Sequence, residues 1–326
     1  MVNHKKIKMI YLNEETIKQI GFNWEETINT IKMAVKCLEV KDFSQPIKPY
    51  LRYRNLKNRI IAMPAYVGGG INMSGIKWIA SFPDNIHKEI PRAHSVVILN
   101  NADTGQPVGI INTALLSIIR TASVSGLIIK NFNELRKLNN INIGITGFGP
   151  IGQYHAKMCN EILKNKINKI SIFDIRSIDK YLLPSNASFV DSWEQAYLNA
   201  DIFISCTVSK ASYINKMPKP GSLHLNVSLR DYMVDVYDFF KGSIIVDNWE
   251  EVCRENTDIE NLHLKKGLQE ADTKNIIDVV MNSCLKNYNQ EQPIMFNPMG
   301  MGIFDIAIGS YYLNLAKNCQ FGQILK

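Results

Sequence analysis

Polar and apolar positions alternate along the first third of the chain with the two-residue period of β-strands. Residues 9–12 predict a short strand, and a helix opened by Asn23 follows them. Five further strands are expected at residues 50–54, 59–64, 74–81, 95–100 and 107–111. The last two flank Asp103-Thr104-Gly105, which is a hairpin turn signal. The pattern therefore predicts an antiparallel, strand-rich unit at the start of the chain.

The pattern changes after residue 112. Residues 113–130 predict one apolar helix, in which Arg120 is the single charge between Ala114 and Ile129. From residue 141 onward apolar strands alternate with helical segments, the strands being at 141–146, 169–174, 201–207, 222–227 and 243–247. Such alternation is typical of a doubly wound parallel (Rossmann) sheet, so the fold class is α/β, combined with an antiparallel α+β unit.

A glycine-rich turn follows the strand at 141–146. It has the spacing G-x-G-x-x-G at Gly147, Gly149 and Gly152, and a helix-forming run follows it. In nucleotide-binding folds such glycines permit a tight turn, close approach of the backbone to a pyrophosphate, and close helix packing. Asp174 ends the next strand 22 residues after Gly152, where a carboxylate can bond ribose hydroxyls. A dinucleotide site is predicted, and the alternative is an ordinary α/β turn whose glycines serve packing alone.

Length and composition limit the class of protein. The 326 residues suit two domains, and apolar and charged contents of 46% and 21% are typical of soluble proteins. No uninterrupted apolar run reaches the roughly 18 residues of a membrane helix. Residues 1–6 lack the apolar core of a secretory signal. A cytoplasmic protein without a membrane partner is therefore expected.

Cysteines and charges argue against other classes. The six cysteines are scattered, without a C-x-x-C pair or a histidine at ligand spacing, so neither disulfides nor a metal site is expected. The net charge of +7 is spread along the chain, and no basic block alternates with aromatic residues. Nucleic acid is therefore not an expected partner, whereas an anionic substrate or cofactor is compatible with the excess.

Four charged residues stand in settings where an ionised group costs free energy unless it meets a partner. Lys77 lies in an apolar strand, Arg120 lies in an apolar helix, and Asp305 is the lone charge of residues 293–314. The three could pair as structural ion pairs, or the two cations could bind a carboxylate ligand. Asp231 follows the strand at 222–227, at the edge where ligands bind, although it could instead cap a helix or a turn.

Several short motifs resemble those of the ornithine cyclodeaminase and mu-crystallin family, over nearly the whole chain. They are residues 59–64, 75–78, 116–123, 147–149, 205–207 and 297–301. Within the family, the stretches most similar to the branch of N-(2-amino-2-carboxyethyl)-L-glutamate dehydrogenases are 45–52, 59–64, 74–79 and 297–301. The resemblance implies an NAD-dependent enzyme that oxidises a carbon–nitrogen bond of a small amino-acid-derived substrate and assembles as a homodimer.

The resemblance also implies roles for individual residues. Asp231 would be the catalytic acid, with Lys77 as its catalytic partner. The residues implied in substrate binding are Arg52, Lys77, Arg92, Arg120 and Met299, of which Arg92 could take a second carboxylate. The residues implied in NAD binding are Ser95, Arg120, Thr121, Gly147, Gly149, Pro150, Ile151, Gly152, Asp174, Thr207, Leu225, Asn226, Val227 and Ser228. NAD is expected rather than NADP because Asp174 would repel a 2′-phosphate, although Arg176 could offset this.

The implied architecture is discontinuous. A substrate-binding and dimerisation domain at 1–125 and 297–326 would carry the antiparallel α+β unit. The NAD-binding Rossmann domain at 126–296 would be inserted within it. The tail is assigned to the first domain because the family-like segment 297–301 should reach the substrate.

The expected reaction is the NAD-dependent oxidative cleavage of N-(2-amino-2-carboxyethyl)-L-glutamate to 2,3-diaminopropionate and 2-oxoglutarate, for siderophore or peptide natural-product biosynthesis. The alternatives within the family are an ornithine cyclodeaminase, an alanine dehydrogenase, a ketimine reductase and a non-catalytic, mu-crystallin-like nucleotide binder. Cyclodeaminases follow the catalytic aspartate with proline, glycine and lysine, whereas Asp231 is followed by Tyr232-Met233-Val234. This departure argues against ornithine cyclisation.

Overall fold

The computed structural model describes residues 8–325 and divides into two compact units. One unit contains the residues up to Arg120 together with those from Met301, and the other is Thr121–Gly300. The functional boundaries at 125 and 297 remain a prediction. Residues 1–6, on which the expectation of no secretory signal rests, lie outside the described residues.

The first unit is built on an eight-stranded mixed sheet. Its strands are β1 (Met9–Asn13), β2 (Phe43–Ser44), β3 (Tyr50–Leu51), β4 (Arg59–Val67), β5 (Met73–Ser81), β6 (Ala93–Asn101), β7 (Pro107–Asn112) and β16 (Gln323–Leu325). The order is β16-β1-β7-β6-β5-β4-β2, and β3 also pairs with β4. All pairs are antiparallel except β1 with β7. The predicted antiparallel unit is confirmed, with one parallel pair that strand periodicity does not reveal.

Helices pack on one face of this sheet. Those that belong to the unit wholly or in part are α1 (Glu14–Ile20), α2 (Trp24–Glu39), α3 (Leu115–Arg136) and α10 (Gly302–Cys319). α2 begins where the sequence predicts, because the Asn23 side chain accepts a hydrogen bond from the Glu26 amide at 3.1 Å. α10 contacts β4, β5 and β6 as well as α2, and it is buried along most of its length.

Glycines allow α10 to lie close to the sheet. A Cβ atom on Gly309 would lie 3.3 to 3.5 Å from side-chain atoms of Leu99 and Val97. A Cβ atom on Gly75 would lie 3.1 Å from Ile306 Cδ1. Both contacts are tight, so larger side chains at these glycines would push the helix away from the strands.

The second unit is built on an eight-stranded sheet in which every neighbouring pair is parallel. Its strands are β8 (Ile141–Thr146), β9 (Ile167–Phe173), β10 (Ala187–Phe189), β11 (Ile202–Ser205), β12 (Leu223–Asn226), β13 (Ile244–Val246), β14 (Lys274–Asn275) and β15 (Ile294–Asn297). The order is β10-β9-β8-β11-β12-β15-β13-β14. This doubly wound sheet confirms the predicted α/β class.

Helices separate most of the parallel strands. Besides the greater part of α3, they are α4 (Pro150–Leu163), α5 (Trp193–Tyr197), α6 (Tyr237–Phe240), α7 (Trp249–Val252), α8 (Asp258–Lys266) and α9 (Ile276–Val280). α3 is the one helix of the described residues that is long and apolar enough to cross a membrane by length and composition. Most of its apolar stretch is buried within the protein, as in the core helix of a globular domain.

Candidate active site

The carboxyl ends of the parallel strands bring together many of the residues expected to bind NAD. Thr146 and Asn226, at the ends of β8 and β12, both pair with Ser205 at the end of β11. The predicted residues that follow these and the adjacent strand ends are Gly147, Asp174, Thr207, Val227, Ser228 and Met299. We call this region the carboxyl edge. Ligands of open parallel sheets bind at such an edge.

The glycine turn at the carboxyl edge has the geometry that a phosphate needs. Gly147 adopts a φ of +83°, and a Cβ on Gly152 would collide with the Gly147 carbonyl oxygen. Gly149 caps α4 without a side-chain hydrogen bond, and Pro150 occupies the first turn. A Cβ on Gly149 would meet no atom closer than Arg176 Nη2, at 3.8 Å. The start of α4 is therefore open for an anion, which its amides and dipole would stabilise.

Asp174 stands beside this turn and accepts hydrogen bonds on both oxygens. The Phe148 amide donates to Oδ2 at 2.7 Å. Arg176 donates from its amide at 2.9 Å, from Nε at 3.1 Å and from Nη2 at 3.0 Å. Burial alone would raise the pKa of Asp174, but the hydrogen bonds and charge of Arg176 outweigh it and lower the pKa below the ordinary value. The carboxylate is thus ionised at neutral pH.

Asp231 lies at the same edge within a network of hydroxyl groups. Its side chain is fully buried, and Thr207 Oγ1 donates to Oδ1 at 2.5 Å. The Tyr213 hydroxyl lies 3.4 Å from Oδ2 and 3.1 Å from Thr146 Oγ1. Burial raises the pKa of Asp231 above the ordinary value, and hydrogen bonds from Ser228, Thr207 and Tyr213 oppose this. A carboxyl group whose pKa is raised in this way, with hydroxyl groups beside it, is a candidate for proton transfer.

Two of the predicted cofactor contacts are interior side chains. Leu225 and Asn226 are fully buried in β12, and Asn226 Nδ2 donates to Asp258 Oδ2 and Asn297 Oδ1, both at 2.9 Å. Burial raises the pKa of Asp258 to about 7. The side chains of Leu225 and Asn226 are therefore not available to a ligand. Met299 is held through its amide, which donates to Asp247 Oδ1 at 3.0 Å.

In the first unit, Lys77 and Arg120 share one carboxylate. Lys77 Nζ donates to Asp305 Oδ1 at 2.9 Å, and Arg120 Nε donates to the same oxygen at 3.1 Å. Lys77 also donates to Ser117 Oγ at 3.0 Å. The three ionised residues are 1%, 7% and 0% exposed. The ion pairing of these three residues, which was one of two possibilities from the sequence, is present. It joins two buried cations to a single anion.

The surroundings of Lys77 lower its pKa to about 8. Burial is the largest cause, and the charges of Arg120 and Lys48 act in the same direction against Asp305. Burial would raise the pKa of Asp305, but Arg120 and Lys77 hold it below the ordinary value. Lys48 is itself buried, at 4% exposed. Lys48 was not among the predicted site residues, although a lysine between Ile47 and Pro49 was a visible signal.

Strand register places Tyr50 and Arg59 on the same sheet face as Lys77. Lys77 pairs with Met63 and Val97, and the next positions of that face follow at intervals of two residues. We call the following positions the open floor: Tyr50, Ile61, Ile79 and Ser95 in one row, and Arg59, Ser81 and Ala93 in the next. Arg52 belongs to it as well, because its guanidinium lies 5.2 Å from the centroid of the Tyr50 ring.

α10 does not cover the open floor. The helix begins at Gly302, where a Cβ would lie 3.3 Å from the Met63 carbonyl and 3.4 Å from Ala65. It then runs past Gly75 and Leu99, away from the open floor. Ile61, Ile79 and Ser81 are accordingly only half-buried. The sheet next to Lys77 is therefore less completely covered than the core beneath the helix.

Ser95 supplies a polar group to this floor. It is 6% exposed, and its hydroxyl has no hydrogen-bond partner among residues 8–325. Buried hydroxyl groups without partners are uncommon in native proteins, and they often mark the position of a ligand. Arg92 immediately precedes β6 and is half-buried, as is Thr121, which follows Arg120 on α3.

Within residues 8–325 no group of three or more His, Cys, Asp or Glu side chains is arranged to hold a metal ion. The six cysteines are free thiols. The two fully buried histidines, His155 and His224, have pKa values lowered to about 4 and about 3 by burial, so they are neutral.

The doubly wound sheet with a glycine turn at its carboxyl edge defines a protein with a Rossmann-type domain. The chain belongs to the ornithine cyclodeaminase/mu-crystallin family, whose family model matches residues 7–318. It is 32% identical to the N-((2S)-2-amino-2-carboxyethyl)-L-glutamate dehydrogenase of Staphylococcus aureus over 98% of each chain. The family resemblance read from the motifs is therefore confirmed.

Solved structures share the fold over the full length. The Thermococcus litoralis Δ(1)-pyrroline-2-carboxylate reductase, solved with NADH and L-proline, superimposes with a TM-score of 0.87. It is 19% identical, and the match covers 97% of this chain and 100% of that one. An archaeal alanine dehydrogenase dimer with bound NAD gives a TM-score of 0.84 at 21% identity, covering 98% and 99%.

The shared carboxylate makes Asp305 a test of the buried charge balance. Asp305→Asn should lower the free energy of unfolding by about 3 to 5 kcal/mol, because Lys77 and Arg120 would stay buried without an anion. Urea denaturation would measure it, with Asp103→Asn in the exposed hairpin as the control. Adding Lys77→Met to Asp305→Asn should recover part of the loss. A further loss in that double variant would contradict the account.

Proposed function

We propose that the protein is an NAD-dependent dehydrogenase that cleaves N-(2-amino-2-carboxyethyl)-L-glutamate oxidatively, giving 2,3-diaminopropionate and 2-oxoglutarate. The observation that carries the proposal is the open floor, where buried cations lie beside a half-buried sheet surface that α10 does not cover. Lys77 and Arg120 share the single carboxylate of Asp305, so an anionic ligand would balance the second cation. The 32% identity to a dehydrogenase of this specificity supports the same substrate.

The cofactor would be held by the second unit. Gly147, Gly149 and Gly152 leave the start of α4 open for the pyrophosphate, and Asp174 is ionised where a ribose would lie. When bound, NAD⁺ supplies the oxidant by accepting a hydride from the glutamate α-carbon. Thr207 and the half-buried Ser228 would add polar contacts along the same edge.

The residues of the chain would orient the substrate and move protons. Lys77 and Arg120 would bind the α-carboxylate of the glutamate part, which positions its α-carbon for oxidation. Loss of hydride and of the amine proton converts the carbon–nitrogen bond to an imine. Asp231 would then accept a proton from the attacking water and return one to the departing nitrogen. Water adds across the imine, so 2-oxoglutarate and the primary amine of 2,3-diaminopropionate are released.

Purified protein with NAD⁺ and candidate amines tests this function directly. We expect NADH, 2-oxoglutarate and 2,3-diaminopropionate to form in equal amounts from the glutamate conjugate. Alanine, ornithine and proline should react at least about 100-fold less efficiently, because they lack the additional carboxylates. A better rate with alanine or ornithine would contradict the substrate. Tight NADH binding without turnover of any amine would favour a non-catalytic binder.

We also propose a cytoplasmic location and a role in siderophore or peptide natural-product biosynthesis. The supporting observation is the similarity to the staphylococcal dehydrogenase, since 2,3-diaminopropionate is a building block rather than an end product. A neighbouring gene for an enzyme that joins phosphoserine to glutamate would support this role. Its absence from the genome would count against the glutamate conjugate as substrate.

The pH profile should have two limbs that the site residues explain. kcat/KM should rise with pH as Asp231 ionises, at a pKa above that of an ordinary aspartate. It should fall as the pH passes about 8, where Lys77 loses the proton that attracts a carboxylate. Lys77→Arg should move the alkaline limb to higher pH, since arginine stays charged. Asp231→Asn should lower kcat by about 100-fold or more. An alkaline limb that stays in place in Lys77→Arg would assign it to another group.

The Asp174–Arg176 pair should set the preference for NAD over NADP. In Asp174→Ser the Arg176 side chain loses its carboxylate partner and can bind a 2′-phosphate, so relative affinity for NADP should rise roughly tenfold. Fluorescence titration with NADH and NADPH would measure this. Arg176→Ala alone should bring no such gain, and adding it to Asp174→Ser should remove the gain. An unchanged preference in Asp174→Ser would contradict the assignment.

We propose that the protein is a homodimer that forms through the sheet face opposite Lys77. That face is apolar, with Ala62, Trp78 and Val96 side by side across β4, β5 and β6. Trp78 is 41% exposed, and the neighbouring Ile76 and Ile98 are only half-buried. Exposed apolar patches of this kind mark interfaces, and a two-fold axis would bring the same patch of each copy together.

Trp78→Glu should therefore convert the dimer to a monomer, because it places a charge in the centre of the apolar face. Sedimentation velocity at micromolar concentration would give the mass. Lys57→Gln, in an exposed turn, should leave the mass unchanged. A monomeric wild-type protein, or a Trp78→Glu variant that remains dimeric, would contradict this interface.

A further inference from the structure

We infer that Arg59, with Tyr50 and Arg52, forms a second carboxylate-binding subsite at the far end of the open floor, and that this subsite selects substrates with several carboxylates. The inference deepens the proposed function and rests on it for the identity of the substrate. Arg59 is not among the residues that the family resemblance implies as ligands.

The register places Arg59 in a line with Lys77. Arg59 pairs with Ser81, and Lys77 pairs with Met63, so the two cations lie four residues apart along neighbouring strands. Because side chains alternate between faces, Arg59, Met63 and Lys77 project to the same side. Four residues span roughly 13 Å of strand. The side chains of both residues are long enough to lean toward each other. Their charged ends can therefore bind two carboxylates of one ligand.

Tyr50 lies in the row between Lys77 and Arg59, and its ring contacts two arginines. Tyr50 pairs with Ile61, which occupies the row between Lys77 and Arg59. The Arg52 and Arg59 guanidinium carbons lie 5.2 and 5.8 Å from the centroid of this ring. Contact with the ring face orients each guanidinium, and for Arg59 it directs the planar edge toward the open floor.

The hydrogen-bonding state of Arg59 points to a ligand. Its Nε atom is buried and has no hydrogen-bond partner within residues 8–325. A buried guanidinium N–H without an acceptor costs free energy. A carboxylate that bonded Nε and one Nη in the bidentate geometry of arginine would satisfy it. Two guanidinium groups close to one ring also repel each other, and an anion would relieve that repulsion.

The two ends of the open floor would bind different carboxylates of the substrate. The Lys77 end would take the carboxylate next to the reacting carbon, which every amino-acid substrate carries. The Arg59 end would take a carboxylate farther away, which alanine, ornithine and proline lack. The glutamate conjugate carries three carboxylates, so it can occupy both ends at once. Selectivity between these amines would then depend on Arg59 rather than on Lys77.

Binding measured by calorimetry in the presence of NADH tests this assignment independently of turnover. The ligands are N-(2-amino-2-carboxyethyl)-L-glutamate and L-alanine, and the proteins are wild type, Arg59→Met, Arg59→Lys and Lys57→Gln. Arg59→Met should weaken binding of the conjugate by about 10- to 100-fold, the range for a lost charge-assisted hydrogen bond, and leave alanine binding unchanged. Arg59→Lys should recover part of the affinity, and Lys57→Gln should match the wild type.

Steady-state kinetics separate this inference from the reaction itself. Arg59→Met should raise KM for the conjugate with kcat within about threefold of the wild type, because uniform binding is lost rather than chemistry. NADH affinity and the thermal midpoint show whether the variant is folded. Equal conjugate affinity in wild type and Arg59→Met would overturn the subsite even if the conjugate is the substrate. Failure of the wild type to turn over the conjugate, with Arg59-dependent binding intact, would overturn the reaction and leave the subsite standing.

Discussion

The first unit depends on one buried carboxylate that serves two cations. Asp305 in α10 accepts hydrogen bonds from Lys77 in β5 and Arg120 in α3, so three elements that are far apart in sequence meet at a single oxygen. Each charge is expensive to bury alone, and the interaction is favourable only while all three side chains keep their geometry. The start of α10 must therefore stay above Lys77. Gln45 helps to fix it there, because its Oε1 accepts a hydrogen bond from the Ile303 amide at 3.0 Å.

The position of α10 in turn decides where a ligand can lie. Up to Lys77 the helix covers the sheet and the face is a dry core, with Val97 and Leu99 fully buried. Beyond Lys77 the same face continues without the helix, and polar or charged side chains such as Ser95 and Arg59 stand beside apolar ones such as Ile79. The start of α10 thus separates the core from the open floor. Shifting that end by one turn would either bury the open floor or expose the ion pairs.

Much of this arrangement could be predicted from the sequence. Alternation located β5 and β6, the glycine turn located β8 and α4, and Asn23 located the start of α2. β10 and β14 were not predicted, because they have only two or three residues and, unlike the equally short β13, are not continuous apolar runs. β15, which lies between Pro293 and Pro298, was not predicted either. The lone charges Lys77, Arg120 and Asp305 were also visible, since each interrupts an apolar segment.

What the sequence could not provide is which residues become neighbours. Tyr213 reaches Asp231 only because the chain after β11 returns to pair Ile214 with Tyr232, and no local signal announces that bridge. Arg59 reads as an ordinary charged residue at the start of a strand until register sets it on the face of Lys77. Lys48 was visible as a charge between Ile47 and Pro49, but its burial and its effect on Lys77 were not. The sequence shows the type of each of these side chains. The face of the sheet on which a side chain lies, and the residue that it contacts, depend on how the strands pair.

The charge balance of the open floor links ligand binding to protonation. Asp305 can neutralise one of its two partners, and the pKa of Lys77 is held near 8 because burial and the charges of Arg120 and Lys48 exceed the effect of that carboxylate. A bound carboxylate would supply the missing negative charge and raise this pKa, so binding above pH 8 would be accompanied by proton uptake. The same deficit would favour an anion over a neutral ligand at this site. On the proposed function, the charges buried beneath the open floor would thus contribute to substrate selection.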